Sequence, residues 1–381
     1  MGLSLCCETG DESGMQGRKR SGLRRGANPY IFVSEDKKHE RRVSFFRAVL
    51  VLLALLVVAV LVANFTISYR VTLENLRLTV LNLPDDLENY SILHISDLHG
   101  AVYGDHQKAI RTALGDTRYS CVVMTGDMLG ENGEVDPLLD LIALIPAETP
   151  KYFIPGDLDG PATDPTAHGS LSIYHEWADV LQQAGVTLLD RPVLVTRGKG
   201  RIWFVPESLY ALDLDGMLTV YTRQLQEMYD RATTLTADDA ARMRVLEYEI
   251  SRLTETQELK KQFEPTDIQI VLTHVPLSPE YVADQVSWSG KEDYFSLRYA
   301  SLILAGHYNG GQWRLPFVGA IYVPELGWFP PDELVRGLDY PAGIPQHISP
   351  GLGSDPHYEH QPGRLFNAPQ ITRIILTRRA T

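Results

Sequence analysis

Cysteine is scarce in this chain, which has only Cys6, Cys7 and Cys121 in 381 residues. Two lie near the N-terminus and the third lies inside an apolar run typical of a core strand, so no disulfide framework is expected. A basic face is also missing, because residues 48–381 carry 25 Lys and Arg against 42 Asp and Glu, a net charge of −17. This acidic balance argues against nucleic acid as the main partner, since nothing offsets phosphate repulsion.

One stretch of the chain has no charge. Between Arg47 and Arg70 there is no Asp, Glu, Lys or Arg, and residues 48–63 are almost wholly Leu, Val and Ala. The run is about as long as the 20 residues that a bilayer crossing requires, and it lacks the polar face of a buried core helix. We expect a transmembrane helix over residues 46–68. A cleaved signal peptide is the alternative, but the leader is long and no convincing cleavage site follows.

The residues before this run are basic. Residues 1–47 hold ten Lys and Arg and six Asp and Glu. By the positive-inside rule the N-terminus is expected in the cytoplasm, with the main domain on the other side of a membrane that the chain crosses once. Residues 1–44 mix Gly, Ser, Arg and Glu without periodicity, and we expect this leader to be disordered.

Five short polar blocks follow apolar runs in the rest of the sequence. The runs are typical of buried strands at residues 91–96, 121–125, 152–155, 268–273 and 302–305. The blocks are Asp97-Leu98-His99, Gly126-Asp127, Gly156-Asp157-Leu158-Asp159, the lone His274, and Gly306-His307-Tyr308-Asn309. Because open α/β sheets place their ligands at the carboxyl ends of strands, we expect these side chains to gather at one edge.

This ordered set resembles the calcineurin-like metallophosphoesterases, whose pattern is Asp-x-His, Gly-Asp, Gly-Asn-His-Asp/Glu, a lone His and Gly-His-x-His. The resemblance covers residues 81–381. It is strongest to a membrane-associated bacterial branch, whose members have stretches similar to residues 310–316 and 364–372 of this chain. One block alone is a weak signal, whereas five in order after strands are specific. The resemblance implies an α/β fold, a four-layer sandwich of two mixed β-sheets flanked by helices.

The resemblance also implies a two-metal centre that cleaves phosphoesters. The first metal would be held by Asp97, His99, Asp127 and Asn309, and the second by Asp127, Asp157, His274 and His307. Asp127 would bridge two divalent cations, which neutralise the phosphate oxygens and turn a bridging water into the attacking hydroxide. Among Mn, Fe, Zn and Mg, manganese is favoured, because Asn309 replaces a family His with a harder oxygen ligand.

The block after the third strand departs most from the family pattern. Asp157 replaces an Asn and still offers an oxygen ligand. Leu158 replaces the His that protonates the leaving oxygen, and loss of a general acid costs about 10²–10⁴ in rate, most for poor leaving groups. Asp159 is retained beside it as a candidate catalytic residue. His168 and His175 are candidate substitutes for the missing His, although loop histidines are often simply solvated.

Residues 216–263 interrupt the alternation of strands and helices that indicates the α/β class. Apolar residues there recur at steps of three and four, which predicts two amphipathic helices, and Thr236 and Asp239 between them have capping-box spacing. This insertion is a cap near the site, a contact for a partner or membrane surface, or a solvated hairpin packed on the domain. Residues 327–350 are rich in Pro, Gly and aromatics and are predicted to form a long ordered loop.

The resemblance and the apolar run together imply a membrane-anchored, metal-dependent phosphohydrolase. Because of Leu158, a phosphodiester or pyrophosphate linkage is favoured over a monoester, in a phosphorylated small molecule or a lipid-linked substrate. The alternative is a protein that keeps the fold as a binding or scaffold module without catalysis, and Leu158 and Asn309 are the evidence for it.

Overall fold

A computed structural model describes residues 35–164, 172–231, 236–290, 293–355 and 363–378. The chain divides into two units, Met1–Ala59 and Val60–Thr381. Helix α1 (Glu35–Ser68) begins in the first unit and ends in the second.

Helix α1 contains the predicted apolar span. Among the described residues it is the one helix long and apolar enough to cross a membrane, over Glu40–Ser68, with none of its apolar window buried. The helix begins at Glu35, so residues 35–44 are helical where a disordered leader was expected. Glu, Lys and Arg favour helix, and here they continue directly into an apolar helix that extends them. Residues 1–34 of the predicted leader lie outside the described residues.

All strands in the described part of the chain lie in the second unit. In chain order they are β1 (Thr72–Thr79), β2 (Ser91–Ile95), β3 (Cys121–Thr125), β4 (Lys151–Ile154), β5 (Val186–Leu188), β6 (Val193–Arg197), β7 (Gly200–Pro206), β8 (Ile268–Leu272), β9 (Ala300–Ala305), β10 (Arg314–Leu315), β11 (Gly319–Ala320), β12 (Tyr322–Val323), β13 (Gly327–Trp328), β14 (Gly337–Asp339), β15 (Gln346–Ile348) and β16 (Gln370–Thr377). The further helices are α2 (Lys108–Leu114), α3 (Asp136–Ile142), α4 (Glu176–Gln183), α5 (Leu214–Asp230), α6 (Ala237–Lys260) and α7 (Pro279–Trp288).

Two six-stranded mixed sheets form the body of the domain. Their spatial orders are β1-β16-β2-β3-β4-β5 and β14-β15-β9-β8-β7-β6. Apolar residues from both sheets share one core, in which Val123 and Ile154 of the first sheet join Phe204 and Ile270 of the second. A separate core packs α2, α3 and α4 on the outer face of the first sheet. The predicted sandwich of two mixed sheets flanked by helices is therefore confirmed.

The strands that precede the five blocks are central in these sheets. β2, β3 and β4 are consecutive parallel neighbours in the first sheet, and β8 and β9 are parallel neighbours in the second. All of β2, β3, β4 and β8 is buried, which explains why they are continuous apolar runs without alternation. Parallel pairing brings their carboxyl ends to the same edge of each sheet.

The insertion consists of α5 and α6. Thr236 and Asp239 form the predicted capping box at the start of α6. Arg252 of α6 donates a hydrogen bond to the Asp190 carbonyl (3.0 Å), and the Tyr174 hydroxyl contacts that of Tyr248 (3.1 Å). The insertion is thus packed on the domain through α6.

Several strands near the C-terminus were not predicted. Residues 327–350, expected to form a loop, contain β13, β14 and β15, and β15 is inserted between β14 and β9. Strand β16 lies between β1 and β2, parallel to β1 and antiparallel to β2. β15 has only three residues, too few for a period-two pattern, so its pairing partner and not its own sequence makes it a strand.

A buried histidine pair joins the two sheets. His94 on β2 and His347 on β15 approach through their Nδ1 atoms at 2.8 Å, and His94 Nε2 lies 2.9 Å from the Thr125 hydroxyl oxygen. Both histidines are buried, His347 because β15 joins the sheet. Burial lowers the pKa of His94 well below its usual range and that of His347 to about 3. Both are neutral at physiological pH.

This pair predicts a loss of stability in mild acid. Unfolded histidine binds a proton below about pH 6.5 and the buried pair does not, so stability is present above that pH and falls as the pH drops toward 3. Between pH 7 and pH 5 the wild type should lose about 2 kcal/mol more unfolding free energy than His347→Gln. Denaturant titrations of the full chain in detergent, with EDTA, measure the difference. Equal pH dependence in the two proteins would contradict it.

Candidate metal centre

The five blocks follow strands of both sheets and meet at one edge. In the first sheet Asp97 and His99 follow β2, Asp127 follows β3 and Asp157 follows β4, and in the second His274 follows β8 and His307 and Asn309 follow β9. Backbone hydrogen bonds tie neighbouring blocks together, with Asp97 N donating to Gly126 O (3.0 Å) and Gly306 N donating to His274 O (2.8 Å). The gathering expected from the sequence is therefore present.

The predicted ligands form two groups. Donor atoms of Asp97, His99 and Asp127 all lie within 4.8 Å of one another, and so do donor atoms of Asp157, His274 and His307. Each group mixes carboxylate oxygen with imidazole nitrogen, which are ligand types that Mn, Fe and Zn accept.

The two groups are joined by contacts at Asp127 and His274. His274 Nε2 lies 3.2 Å from Asp127 Oδ2 and 3.3 Å from His307 Nδ1. His307 Nδ1 in turn lies 3.4 Å from Asp157 Oδ2. Asp127 therefore belongs to one group and touches the other, which is the position that a bridging carboxylate needs. Its ligand role, like those of the other candidates, stays a prediction.

Hydrogen bonds from the backbone hold the candidate ligands in orientation. His274 Nδ1 donates to the Thr125 carbonyl (2.7 Å), which leaves Nε2 as the metal-binding nitrogen. Asp97 Oδ1 accepts from His307 N (2.9 Å), and the Ser96 hydroxyl donates to Asp97 Oδ2. A carboxylate that already accepts hydrogen bonds is held in one orientation. It therefore loses little conformational freedom when a cation binds.

Backbone strain is concentrated at these positions. Left-handed backbone is found at Asp97 (φ 50°), His99 (φ 46°), Asp127 (φ 52°), His307 (φ 76°) and Asn309 (φ 49°). Such conformations cost free energy and persist where the surroundings impose them, commonly at functional sites.

A glycine makes the crowding possible. A Cβ at Gly126 would lie 2.6 Å from Gly156 Cα and 2.6 Å from His274 Nδ1. The Gly of the Gly-Asp block is thus required by the close approach of the neighbouring turn and of the imidazole.

Two buried polar atoms at the site have no hydrogen-bond partner within the described part of the chain. They are His99 Nε2 and Asn309 Oδ1. Asn309 is held by its own amide, whose Nδ2 donates to His307 O (3.2 Å), and by Asn367 Nδ2, which donates to Asn309 O (2.8 Å). A nitrogen and an oxygen without partners, beside clustered carboxylates, fit a bound divalent cation.

A family model described as calcineurin-like phosphoesterase matches residues 90–309, more than half of the chain. The protein belongs to the calcineurin-like phosphoesterase family. No curated protein matches its sequence. Among solved structures, the phosphopantetheinyl hydrolase PptH from Mycobacterium tuberculosis is similar at 15% identity, over 69% of this chain and 89% of that one, with a TM-score of 0.33. That similarity is too weak to support a statement about substrate.

Leu158 occupies the position at which the sequence pattern predicts a His in this family. The Leu158 backbone N donates to Asp127 Oδ1 (2.8 Å), and the side chain, 40% exposed, lines a cavity together with His175. His175, which directly precedes α4, therefore shares a cavity with Leu158. The other candidate substitute, His168, lies outside the described residues.

Asp159 holds the turn that carries Asp127. Its buried carboxylate accepts hydrogen bonds from the backbone N of Met128 (2.9 Å), Leu129 (2.8 Å) and Gly156 (2.8 Å). These contacts occupy both carboxylate oxygens and have a positioning effect. A direct catalytic role for Asp159 stays a prediction that they do not favour.

The electrostatics of the phosphoesterase site are those of crowded carboxylates. Burial raises the pKa of Asp97, partly opposed by the nearby imidazoles of His274 and His99. Burial also disfavours the charged forms of His274 and Asp127, but the hydrogen bond and the attraction between these two side chains outweigh burial. The pKa of His274 is therefore raised to about 9 and the pKa of Asp127 is lowered. A protonated His274 therefore supplies positive charge that a cation would replace.

Two residues at this site were not predicted. Glu325 Oε1, on the turn between β12 and β13, lies 3.5 Å from His307 Nε2, and no pattern in its loop marks it. Arg364 is buried, donates to the carbonyls of Gly353 (2.6 Å) and Pro350 (2.7 Å), and lines a cavity with His99. Burial lowers the pKa of Arg364 to about 10, so it is charged at neutral pH. Its only signal was the C-terminal stretch shared with the bacterial branch.

The raised pKa of His274 predicts that metal binding releases a proton. Below about pH 9 the imidazole is protonated in the folded apo-protein, and a metal must displace that proton, so affinity should rise with pH up to about 9. Calorimetric titration of manganese at pH 7.5, in two buffers of different ionisation enthalpy, should give about one proton released per chain. His106→Gln, at an exposed histidine outside the site, is the control and should release the same number. Affinity independent of pH from 6.5 to 8.5 would refute this.

Proposed function

We propose that this phosphoesterase is a membrane-anchored, metal-dependent phosphohydrolase of phosphodiester or pyrophosphate bonds. Its substrate would be a phosphorylated small molecule or a lipid-linked compound. Membership of the calcineurin-like family supports phosphoester hydrolysis in general, and the finer statements rest on the site and on α1.

The contact between Asp127 and His274 carries this proposal. It links the group of Asp97 and His99 to the group of Asp157 and His307, so that one carboxylate reaches both. Two divalent cations, when bound, would neutralise phosphate oxygens and activate a water for attack. Asp127 would hold both cations at one spacing, and His274, oriented by the Thr125 carbonyl, would present Nε2 to the second.

The residue at position 158 supports the choice of bond. Leu158 has no proton to give, so an alkoxide leaving group would depart without general acid assistance from this position. An aryloxide or a phosphate departs more readily because it is a weaker base. The site is therefore suited to a linkage whose leaving group is already stable as an anion.

The apolar helix supports membrane anchoring. Residues 48–68 of the exposed helix Glu40–Ser68 are apolar and uncharged, and the basic residues precede them, at residues 18–47. By the positive-inside rule the N-terminus would lie in the cytoplasm and the phosphoesterase domain outside it.

Removing the bridging carboxylate tests the enzyme assignment. The wild type, equilibrated with manganese, should bind two ions per chain and hydrolyse bis(p-nitrophenyl) phosphate. Asp127→Asn should bind fewer ions per chain. Loss of a residue that only supports a metal ligand costs about 10–100-fold in activity, and loss of the ligand itself should cost more. Asp105→Asn, an exposed carboxylate elsewhere, is the control. A wild type with neither metal nor turnover would favour the scaffold alternative.

Restoring the family residue tests the role of position 158. Leu158→His should raise the rate on alkyl phosphodiesters by about 10²-fold and affect p-nitrophenyl esters much less, because only the alkoxide needs a proton donor. Leu158→Gln is polar without being an acid and should give no gain. Similar rates for Leu158→His and Leu158→Gln on both ester types would contradict this explanation of substrate preference.

A further inference from the structure

A groove runs from the candidate metal centre to the last turns of α1. It starts at a cavity of about 800 Å3, and the candidate ligand His99 is one of the residues that line this cavity. The apolar side of this cavity is formed by Leu61, Val62 and Phe65 of α1 and by Val102 of the loop after β2.

The apolar wall continues beyond this cavity. A second cavity of about 960 Å3 adjoins the first, and Phe65, Tyr69, Val102 and Tyr103 line both, so the groove comprises the two adjacent cavities. It extends along α2, where Lys108 and Thr112 line it. Leu61, Phe65, Tyr69 and Val102 are exposed large hydrophobic residues. Contiguous exposed apolar surface of this kind marks a site that something apolar covers.

The end of the groove at the metal centre is polar and positively charged. His99, Ser354 and Arg364 line it, and the guanidinium of Arg364 is fixed by the backbone carbonyls of Gly353 and Pro350. A fixed positive charge in the lining of the cavity that a candidate metal ligand also lines suits the phosphate of a bound molecule. The groove is therefore charged at one end and apolar along the rest.

The α1 wall is tied to the segment that carries Arg364. Asn64 Oδ1 accepts from Phe366 N (2.7 Å), and the Ser68 hydroxyl donates to the Arg364 carbonyl (3.0 Å). These bonds fix the apolar wall and the positive end relative to each other. A molecule with a phosphate and an apolar tail would meet both in one geometry.

The length of α1 indicates where the groove lies. The uncharged residues 48–69 extend about 33 Å at 1.5 Å per residue, close to the thickness of the hydrocarbon core of a bilayer, which is about 30 Å. The last turn of a spanning helix would therefore reach the headgroup layer. The groove would then open beside the outer end of the span, next to the lipids.

We propose that this groove binds the alkyl chain of an amphiphilic phosphoester, with its phosphate at the end formed by His99 and Arg364. The inference rests on the proposed function and names its substrate class. An alkyl chain would cover the apolar wall, whereas a water-soluble phosphoester would make no use of it. The substrate would enter from the outer leaflet without leaving the bilayer surface completely.

Two esters with the same scissile bond separate chain recognition from chemistry. Methyl and hexadecyl p-nitrophenyl phosphate differ only in the alkyl group, and both are assayed with the full chain in nanodiscs containing manganese. The wild type should show a kcat/KM at least tenfold higher for the hexadecyl ester. Val102→Glu should reduce this ratio at least tenfold, because a carboxylate in the groove opposes an alkyl chain.

Val318→Glu is the matched control, because Val318 is 60% exposed against 62% for Val102 and lies outside the groove lining. It should leave the ratio unchanged. An unchanged ratio in Val102→Glu overturns the proposal. An equal fall in both variants also overturns it, since that would reflect general contact with the bilayer or with a second copy.

A binding experiment separates this inference from the proposed function. A hexadecyl phosphonate with a diazirine near the chain end needs no turnover, and after irradiation it should label the peptides that contain Phe65, Tyr69 or Tyr103. Val102→Glu should reduce that labelling at least fivefold and Val318→Glu should not. Labelling of the groove without hydrolysis of either ester would support the groove and refute the enzyme. Hydrolysis with labelling only elsewhere would refute the groove.

Discussion

The contact between Asp127 and His274 is the interaction on which the site depends. Asp127 follows a strand of the first sheet and His274 follows a strand of the second, so the contact exists only when the two sheets are packed in register. In the apo-protein an imidazolium paired with a carboxylate limits the repulsion among buried acids. A bound cation would reduce the same repulsion between the carboxylates. The same atoms would therefore contribute to stability in the apo-protein and to ligand binding in the loaded protein.

The polar residues beneath the site extend this dependence into the core. His347 contacts His94, His94 contacts the Thr125 hydroxyl, and the Thr125 carbonyl accepts from His274. These four residues come from four strands or strand ends, two in each sheet. Polar contacts in a low-dielectric interior tolerate little misalignment. The orientation of His274 is thus connected to the packing of the whole sandwich and is not a local property of its turn.

The altered residues and the groove point to one kind of specialisation. In the proposed function, Leu158 would leave the site without a proton donor that serves a wide range of leaving groups, and Asn309 would supply a harder oxygen ligand. At the same time the loop after β2 and the end of α1 add apolar surface next to His99. A site without that proton donor would cleave fewer kinds of ester, and an apolar groove beside it would favour substrates that fit the groove. Together these features would give a narrow substrate range.

The sequence by itself determined the order of strands and blocks, the apolar helix and the capping box at Thr236, because each is encoded in short periodic patterns or adjacent residues. Only the tertiary structure decided that three residues around His347 form a strand, that Glu325 faces His307, and that Arg364 and His99 line one cavity. Those outcomes come from contacts between segments far apart in the chain. Local sequence patterns do not encode how close two remote loops lie in the folded protein. The residues of the candidate centre were therefore predictable as types, whereas the shape of the space around them was not.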